Sequence, residues 1–402
     1  MDTEELVDGV RRGELRLHEL EAHADPDVAA TARRHLLVED TAADLDAVGA
    51  YTFDAADAEP NIENMLGAAQ VPMGVVGPIR IDGGAVDGER FLPMATTEGA
   101  LVASVNRGCA AIRAADGATA RVLQNAMTRA PVFRVADVGE AGEVAGWVRD
   151  NVDALAEAAE STTSHGELRE VTPYVVGDSV FLRFAYDTAD AMGMNMATIA
   201  TEAACDVVAA ETPADLVALS GNLCSDKKPA AVNSVEGRGR TVAADVEIPR
   251  ETVETYFDTT PAAIVEANTR KNLVGSAKAG SLGFNAHAAN TVAAAFLATG
   301  QDVAQVVEGA NAITTADVRD EDLYASLTLA SLEVGTVGGG TTLPTQAEAL
   351  DVVGVRGSGD PAGSNADALA EVIATAALGG ELSLLGALAS DNLAGAHAEL
   401  GR

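Results

Sequence analysis

Residues 220–231 read SGNLCSDKKPAA, and this segment contains two of the four lysines in a chain of 402 residues. A third, Lys271, lies in Arg270-Lys271-Asn272-Leu273, while the other basic positions apart from Lys278 are arginine. Ordinary surface lysines are one explanation for this pattern. A compact ammonium, however, suits a position against a developing oxyanion better than a guanidinium does. The pattern therefore favours a catalytic use for these lysines.

Two acidic residues stand in motifs that have both a structural and a chemical interpretation. Glu98 lies in the segment PMATTEG (93–99), where Thr96 or Thr97 would cap a helix and Glu98 would lie in its first turn. Asp302, which follows a glycine and a glutamine, would likewise cap the next helix. Without further information, helix capping is the preferred interpretation of both.

Two glycine-containing segments are candidates for a cofactor site. Residues 190–196 read DAMGMNM, and a methionine run of this kind is more often part of a core than of a cofactor site. Asp190, Gly193 and Asn195 in the same run favour exposed backbone near a flat ring. Residues 335–341 read GTVGGGT, which predicts either a phosphate-binding nest or a tight turn. The sequence has no strand-linked GxGxxG motif of the Rossmann type.

The charge balance is extreme, because 61 acidic residues outnumber 26 basic ones and leave a net charge of −35. The acidic residues recur in ones and twos along the whole chain, which indicates a solvated surface rather than a disordered tail. Because 1 M salt shortens the screening length to about 3 Å, this surface predicts an extreme halophile with molar salt in its cytoplasm. The balance argues against nucleic acid and anionic membranes as partners.

The cysteines and histidines predict the compartment. Three scattered cysteines and six histidines form no disulfide framework and no metal-ligand spacing, so we expect a reducing, cytoplasmic compartment and no metal site. The N-terminus is acidic and lacks the regions of a signal peptide. Glu371 and Glu381 interrupt the most apolar late stretch, so we expect no membrane span.

Hydrophobic patterning predicts helices first, then strands, then a small inserted domain in which strands and helices alternate. The predicted elements are helices within 1–50 broken at Asp25-Pro26, strands between about 63 and 95, a helix after Glu98, alternating strands and helices from about 131, and Ala-rich helices at 287–299 and 366–388.

Taken in order, these segments resemble the HMG-CoA reductase family over most of the chain beyond residue 60. DAMGMNM, in place of a DAMGANA-like form, resembles the class I biosynthetic members, of the soluble archaeal type, and implies NADPH as the cofactor. The matching segments are Glu63-Asn64-Met65, PMATTEG, Asn106-Arg107-Gly108, Met127-Thr128-Arg129, DAMGMNM, SGNLCSDKKPAA, EGRGR (236–240), KNLVGSA (271–277), NAHAAN (285–290), GQD (300–302) and GTVGGGT.

The resemblance implies four catalytic residues. Lys227 would stabilise the oxyanion that forms as hydride reaches the thioester carbonyl. Glu98 would donate a proton in the aldehyde step, with Asp302 close by and hydrogen-bonded to Lys227. His397 would protonate the departing CoA thiolate under a C-terminal flap that closes over the site.

The resemblance also implies a substrate site and a cofactor site. The residues that would hold the hydroxymethylglutaryl group and CoA are Arg129, Ser220, Asp226, Lys228, Lys271, His287 and Asn290. The residues that would hold NADPH are Thr163, Ser164, His165, Asp190, Met194, Asn195, Val337, Gly338 and Gly339.

The fold that the resemblance implies is α+β, with a large helix-rich substrate domain, an inserted small ferredoxin-like NADPH-binding domain and a C-terminal flap. Active sites formed between two protomers would make the protein a homodimer or a dimer of dimers. The expected boundaries are 1–50 for an N-terminal helical segment, 51–130 and 219–384 for the large domain, 131–218 for the small domain and 385–402 for the flap.

The implied reaction is the four-electron reduction of HMG-CoA to mevalonate and CoA with two NADPH, in isoprenoid lipid biosynthesis. One alternative is an NADH-linked degradative enzyme of the same fold, which gains support because His165 stands where the family usually has an arginine. The other is a non-catalytic acyl-CoA binding protein in which Lys227, Glu98 and Asp302 are structural.

Overall fold

The computed structural model describes residues 1–390, and within them helices and strands form an α+β protein. The predicted fold class is confirmed. The α-helices are α1 (Thr3–Arg11), α2 (Pro26–Thr41), α3 (Asp46–Gly49), α4 (Ala55–Ala58), α5 (Leu101–Ala114), α6 (Val138–Asp150), α7 (Val152–Glu160), α8 (Met194–Glu211), α9 (Ala231–Val235), α10 (Arg250–Phe257), α11 (Pro261–Ala267), α12 (Ser276–Ala279), α13 (Ala288–Thr299), α14 (Val306–Gly309), α15 (Pro344–Val353) and α16 (Ser364–Ala389).

Shorter helical turns and the strands complete the described secondary structure. Leu17–Ala22, Val303–Gln305 and Gly339–Thr342 are 3₁₀ turns, and Asn268–Gly275 is a π-helix. The strands are β1 (Met73–Gly83), β2 (Asp87–Ala95), β3 (Ala118–Arg129), β4 (Val132–Arg134), β5 (Glu167–Val176), β6 (Ser179–Asp187), β7 (Asp215–Ala218), β8 (Gly239–Ile248), β9 (Ala312–Arg319) and β10 (Asp322–Leu332).

Strand β3 runs through two sheets and thereby joins the two domains. Its first part lies in the large sheet, with strand order β2-β1-β3-β8-β10-β9. Its last three residues, Met127 to Arg129, pair with β6 of the smaller sheet, with strand order β7-β4-β6-β5. Arg129 thus stands where the two domains meet.

The smaller domain follows the order β4-α6-α7-β5-β6-α8-β7, with every strand pair antiparallel. This βαββαβ arrangement is the ferredoxin-like topology. It occupies residues 132–218, which lie within the range predicted for the small domain. Its core includes Phe133, Phe184 and Tyr186, all essentially buried.

Helix α16 is the central helix of the large domain. By length and composition it is the one helix among the described residues that could cross a membrane, but 83% of its most apolar 18-residue stretch is buried inside the protein. Core helices of soluble proteins can have the same length and composition, and α16 packs against α5, α13 and the large sheet. It is therefore a core helix.

The two carboxylates in α16 are part of this core. The Glu371 carboxylate accepts hydrogen bonds from the backbone N–H groups of Gly84, Ala85 and Val86 at 2.8 to 3.0 Å. Glu381 is fully buried and accepts three further hydrogen bonds, from Ala286, His287 and Thr314. Buried carboxylates that are hydrogen-bonded in this way tie a helix to its neighbours.

Two expectations about local structure were wrong. Helix α5 begins at Leu101, with Ala100 in the left-handed conformation (φ 67°) before it, so Glu98 lies in the preceding turn and not in the helix. The hydroxyl of Thr96 accepts a hydrogen bond from the Glu98 N–H within that turn. The predicted flap start at 385 falls inside α16, because Leu385 is still buried in the core.

Candidate active site

Lys227 and Asp302 form an ion pair between two loops of the large domain. The Nζ of Lys227 lies 2.8 Å from Oδ2 of Asp302, with 43% and 30% of the two side chains exposed. The hydrogen bond to Asp302 raises the pKa of Lys227, so the ammonium keeps its charge. A charged ammonium open to solvent on one side is suited to meet the oxygen of an incoming substrate.

Asp302 makes both the capping contact and the Lys227 contact that the sequence predicts for it. Its Oδ1 accepts the N–H of Ala304 and so caps the turn Val303–Gln305, while its Oδ2 faces Lys227. The capping interpretation and the catalytic one are therefore compatible. Capping fixes the carboxylate, and a fixed carboxylate fixes the ammonium.

The glutamine beside Asp302 joins this turn to the segment GTVGGGT. The Gln301 side chain accepts the Gly335 N–H at 2.9 Å and donates to the Gly335 carbonyl at 3.0 Å. Val337 in turn forms a parallel bridge with Ala191 of the segment DAMGMNM. Three motifs that are far apart in the sequence thus meet beside the Lys227–Asp302 pair.

The start of α8 is the part of this region that suits an anionic cofactor. The helix begins at Met194 behind Gly193 (φ 90°), with no side-chain cap and no acidic residue in its first turn. Free N–H groups at a helix N-terminus favour phosphate.

The other predicted cofactor residues lie around this helix start. Asn195 is exposed at it, and the exposed Gly338 and Gly339 follow the bridge residue Val337. The turn of Thr163, Ser164 and His165 lies beside it, because a Cβ added at Gly166 would be 2.6 Å from the sulfur of Met196. In this turn the Thr163 hydroxyl accepts the N–H groups of residues 165 and 166.

Asp190 has a different environment from the other cofactor candidates. It is 3% exposed, and its carboxylate accepts hydrogen bonds at 2.8 to 3.1 Å from the N–H groups of Gly359, Gly363, Asn365 and Ala366. Four hydrogen bonds fill the lone pairs of a carboxylate. The Asp190 side chain therefore anchors the segment and is not available to a ligand.

The predicted substrate residues near Lys227 belong to the same group. The Lys228 ammonium donates to the Asp226 carbonyl at 2.8 Å, and the Ser220 hydroxyl lies 4.0 Å from the Cys224 sulfur. Arg129 donates twice to the Thr198 hydroxyl, at 2.7 and 3.1 Å. Thr198 stands in the first turns of α8 and donates to the Met194 carbonyl, so Arg129 reaches the cofactor helix.

A second group of predicted residues surrounds Glu98. The Asn290 amide donates to Oε1 of Glu98 at 3.3 Å and lies 3.5 Å from Nδ1 of His287. Because Nε2 of His287 faces the Gly380 carbonyl at 2.8 Å, Nε2 carries the proton and Nδ1 is the acceptor. The imidazole is thus held in one tautomer by α16.

Glu381 and the π-helix complete the second group. The Glu381 carboxylate accepts the N–H groups of Ala286 and His287 at 2.6 and 2.7 Å and the hydroxyl of Thr314 at 2.8 Å. The carbonyl of Thr314 accepts from Asn268 of the π-helix that carries Lys271. Lys271 is exposed on this π-helix.

The two groups stand at opposite ends of α13. Asn290 is near its first residue, and the turn that contains Asp302 follows its last residue, Thr299. Nine residues at a rise of about 1.5 Å separate Asn290 from Thr299 by about 14 Å. No hydrogen bond or ion pair within residues 1–390 joins Glu98 to Lys227 or Asp302.

His397, the fourth predicted catalytic residue, lies outside the described residues.

Sequence reasoning missed a buried cluster behind Lys227. Arg238 in the segment EGRGR is fully buried, and its guanidinium faces Asp226, Glu308 and Glu333 at 2.9, 3.4 and 3.2 Å. Burial raises the pKa of Glu333 to about 8 and also raises the pKa of Glu308. The only sequence signal was that EGRGR is one of the matching segments, and nothing in it marked Arg238 as buried.

A lysine–aspartate pair that can stabilise an oxyanion, next to a smaller domain with a helix start that can accept a phosphate, suits an oxidoreductase with a dinucleotide cofactor. The profile of the family hydroxymethylglutaryl-coenzyme A reductase matches residues 29–402. The chain therefore belongs to the HMG-CoA reductase family.

Individual relatives agree with this assignment. The chain is 72% identical over 401 residues to 3-hydroxy-3-methylglutaryl-coenzyme A reductase of Haloferax volcanii, with 100% of both chains covered. It is 51% identical over 399 residues to the reductase of Methanothermobacter thermautotrophicus, with 99% of each covered. The fold matches the class II reductase of Streptococcus pneumoniae bound to NADPH in open conformations, with a TM-score of 0.68, 20% identity and coverage of 93% of this chain and 100% of that one.

Proposed function

We propose that this chain reduces HMG-CoA to mevalonate and CoA with two NADPH, as the biosynthetic reductase of isoprenoid lipid formation. The observation that carries the proposal is the Lys227–Asp302 pair, which holds a charged ammonium next to the motifs of the cofactor site. Family membership over residues 29–402 supports the same reaction.

The residues of the chain have separate tasks in this reaction. NADPH, when bound, supplies the hydride for each of the two reductions. The Lys227 ammonium stabilises the negative charge on the carbonyl oxygen, first of the thioester and then of the aldehyde. Glu98, oriented by Asn290, delivers the proton to the aldehyde oxygen. His397 protonates the CoA thiolate as it leaves.

The residues around α8 fit NADPH, because the free helix N-terminus accepts a phosphate and the neighbouring turn offers hydroxyl groups. We assign the ribose phosphate to the turn of Thr163, Ser164 and His165, which lies beside Met196 at the start of α8. The segment DAMGMNM supports class I. Steady-state kinetics with HMG-CoA and either NADPH or NADH, in molar salt, tests the reaction and the cofactor preference. We expect mevalonate and a higher kcat/KM with NADPH. Preference for NADH would favour the degradative enzyme, and no oxidation of either cofactor would favour an acyl-CoA binding protein.

We also propose that the protein is a homodimer, or a dimer of dimers, with each active site shared between two protomers. The support is the separation of the Glu98 group from the Lys227 group by the length of α13. A proton donor and an oxyanion-stabilising ammonium must both reach one carbonyl oxygen, and a second protomer can bring the other group to it.

Complementation tests the shared site. We expect Lys227→Ala and Glu98→Gln to be inactive alone, whereas subunits mixed after co-expression regain activity at about a quarter of the sites, since half of the dimers are mixed and one of their two sites is intact. A Lys227→Ala/Glu98→Gln double variant mixed with Lys227→Ala is the control and should stay inactive. Mixed single variants that also stay inactive, in dimers shown to be mixed, would contradict the proposal.

Halophilic adaptation and a cytoplasmic location are proposed from the charge and the thiols. The net charge of −35 needs molar salt to screen it, and burial raises the pKa of the Cys109 and Cys205 thiols to about 12. The three cysteines are free and buried. Circular dichroism that stays unchanged after dialysis to low salt would contradict the halophilic proposal.

A further inference from the structure

We propose that Arg238 is a positioning residue that sets the geometry of the Lys227–Asp302 pair and links it to the start of the cofactor helix α8. The inference rests on the proposed function and assigns a role to a residue that contacts neither substrate nor the reacting atoms. Its basis is the set of contacts that one fully buried guanidinium makes with three separate segments.

The first segment is the loop that carries Lys227. The Nη2 of Arg238 lies 2.9 Å from Oδ1 of Asp226, the residue before Lys227. Its Nη1 lies 3.4 Å from Oε1 of Glu308, and that same oxygen accepts the backbone N–H of Lys227 at 2.5 Å. Arg238 therefore restrains Lys227 in two ways. It binds Asp226, the preceding residue, and it binds Glu308, which accepts the backbone N–H of Lys227.

This loop needs such restraints because its backbone is strained. Ser225 and Lys227 have φ values of 49° and 58°, in the left-handed region that residues with a Cβ rarely adopt. Residues in this region persist where the surrounding structure holds them. The contacts from Arg238 and Glu308 are what hold Lys227 in that conformation.

The second segment carries Asp302. The Nη1 of Arg238 donates to Oε1 of Gln305 at 2.9 Å, and Nε2 of Gln305 donates to Oδ1 of Asp226 at 3.0 Å. Gln305 is the last residue of the short 3₁₀ turn that Asp302 caps. Lys227 and Asp302 are thus connected in two ways. They contact each other directly, and the loops that carry them are both bound to the buried guanidinium of Arg238.

The third segment is α8. The Nη2 of Arg238 lies 2.9 Å from the sulfur of Met194, the first residue of that helix. The oxyanion side and the cofactor side of the site therefore share one rigid contact. A displacement of about 1 Å between reacting groups is enough to cost about 10²-fold in rate.

Charge balance is the competing explanation for a buried arginine here. Glu308 and Glu333 have fully buried side chains, and Asp226 is 22% exposed, so removal of Arg238 alone leaves buried negative charge without a partner. Burial raises the pKa of Glu333 to about 8 and also raises the pKa of Glu308, which favours the neutral form of each. Glu308 is the fully buried partner that also binds the Lys227 backbone N–H, so its charge is the one that a test of Arg238 must remove.

The test therefore removes the guanidinium together with the charge of Glu308. Glu308→Gln keeps an oxygen acceptor for the Lys227 N–H, and Arg238→Met is added to that background. In molar salt we expect the double variant to fold with the melting temperature of Glu308→Gln, but with kcat lower by about 10²-fold and KM for HMG-CoA changed only severalfold. A kcat within about twofold of that of Glu308→Gln would overturn the proposal, because charge balance would then explain Arg238.

Two further variants keep the test decisive. Arg238→Lys retains the charge but not the forked geometry, so we expect a loss of at least about tenfold in kcat, and full activity would contradict positioning. Arg33→Met removes another buried arginine, 3% exposed and bonded to Glu21, Leu17 and Met65, and we expect its kcat to be unchanged. The same kcat loss in Arg33→Met would overturn the proposal, whereas an inactive parent chain would instead contradict the proposed function.

Discussion

Replacement of Lys227 with alanine is expected to lower kcat by at least about 10²-fold to 10³-fold, because the variant loses the ammonium that faces the developing oxyanion. The fold is expected to survive. The pair with Asp302 is partly exposed, at 43% and 30%, and pairs of this kind contribute roughly 0–1 kcal/mol to the free energy of unfolding. Turnover of HMG-CoA in molar salt, with the melting curve recorded beside it, is the measurement.

Lys278→Ala is the matched control for this variant. Lys278 is the fourth lysine of the chain, exposed on α12, and its removal changes the net charge by the same amount. We expect kcat of this control to equal that of the parent. If Lys227→Ala turned over HMG-CoA as fast as Lys278→Ala, Lys227 would have no catalytic role and the binding-protein alternative would gain support.

Replacement of Gly108 with alanine is expected to destabilise the large domain by about 3 kcal/mol or more, since the added methyl group overpacks the core. Helices α5 and α16 touch through their backbones at this point. A Cβ on Gly108 would lie 1.8 Å from the carbonyl oxygen of Gly379 and 2.7 Å from its Cα. Backbone atoms cannot move aside as a flexible side chain does, so the two helices must separate. Urea denaturation at constant molar KCl measures the loss.

Gly142→Ala is the control for helix propensity. Gly142 lies inside α6, and a Cβ there has no neighbour within 4 Å. We expect this variant to gain about 0.5–1 kcal/mol, because alanine loses less conformational entropy than glycine on folding. If Gly108→Ala were as stable as Gly142→Ala, that result would contradict the backbone contact between α5 and α16 at Gly108 and Gly379.

The parts of the site that the sequence could predict are those marked by unusual residue choice. Lysine is rare in this chain, so the two lysines in SGNLCSDKKPAA stood out, and the structure pairs one of them with Asp302. The small domain was predictable because its short apolar strands alternate with helical stretches between 131 and 218. The prediction that Thr96 or Thr97 caps α5 failed because Gly99 and Ala100 extend the turn before the helix.

Burial of charged residues could not be predicted. Glu371 and Glu381 interrupt an apolar segment in the sequence, yet both lie in the core, because backbone N–H groups from distant loops satisfy their carboxylates. Asp190 is buried by four backbone N–H groups of residues 359–366 in the same way. Contacts between segments more than 90 positions apart leave no periodic signal in the chain.

The separation of the site into two groups is also a property of the fold rather than of any motif. Glu98 and Asp302 each stand in a recognisable motif, but only the structure shows that they lie at opposite ends of α13, which spans about 14 Å from Asn290 to Thr299. The proposed sharing of the active site between protomers rests on that length.

The stoichiometry of the complete reaction is the most direct test of the central claim. HMG-CoA is added in limiting amount to the enzyme and excess NADPH in molar salt, and the NADPH consumed is compared with the CoA thiol released. The four-electron reduction requires two NADPH oxidised for each CoA released, with mevalonate as the product. One NADPH for each CoA would mean that the reaction stops at the aldehyde, and CoA release without oxidation would make the protein a hydrolase, so either result would contradict the account.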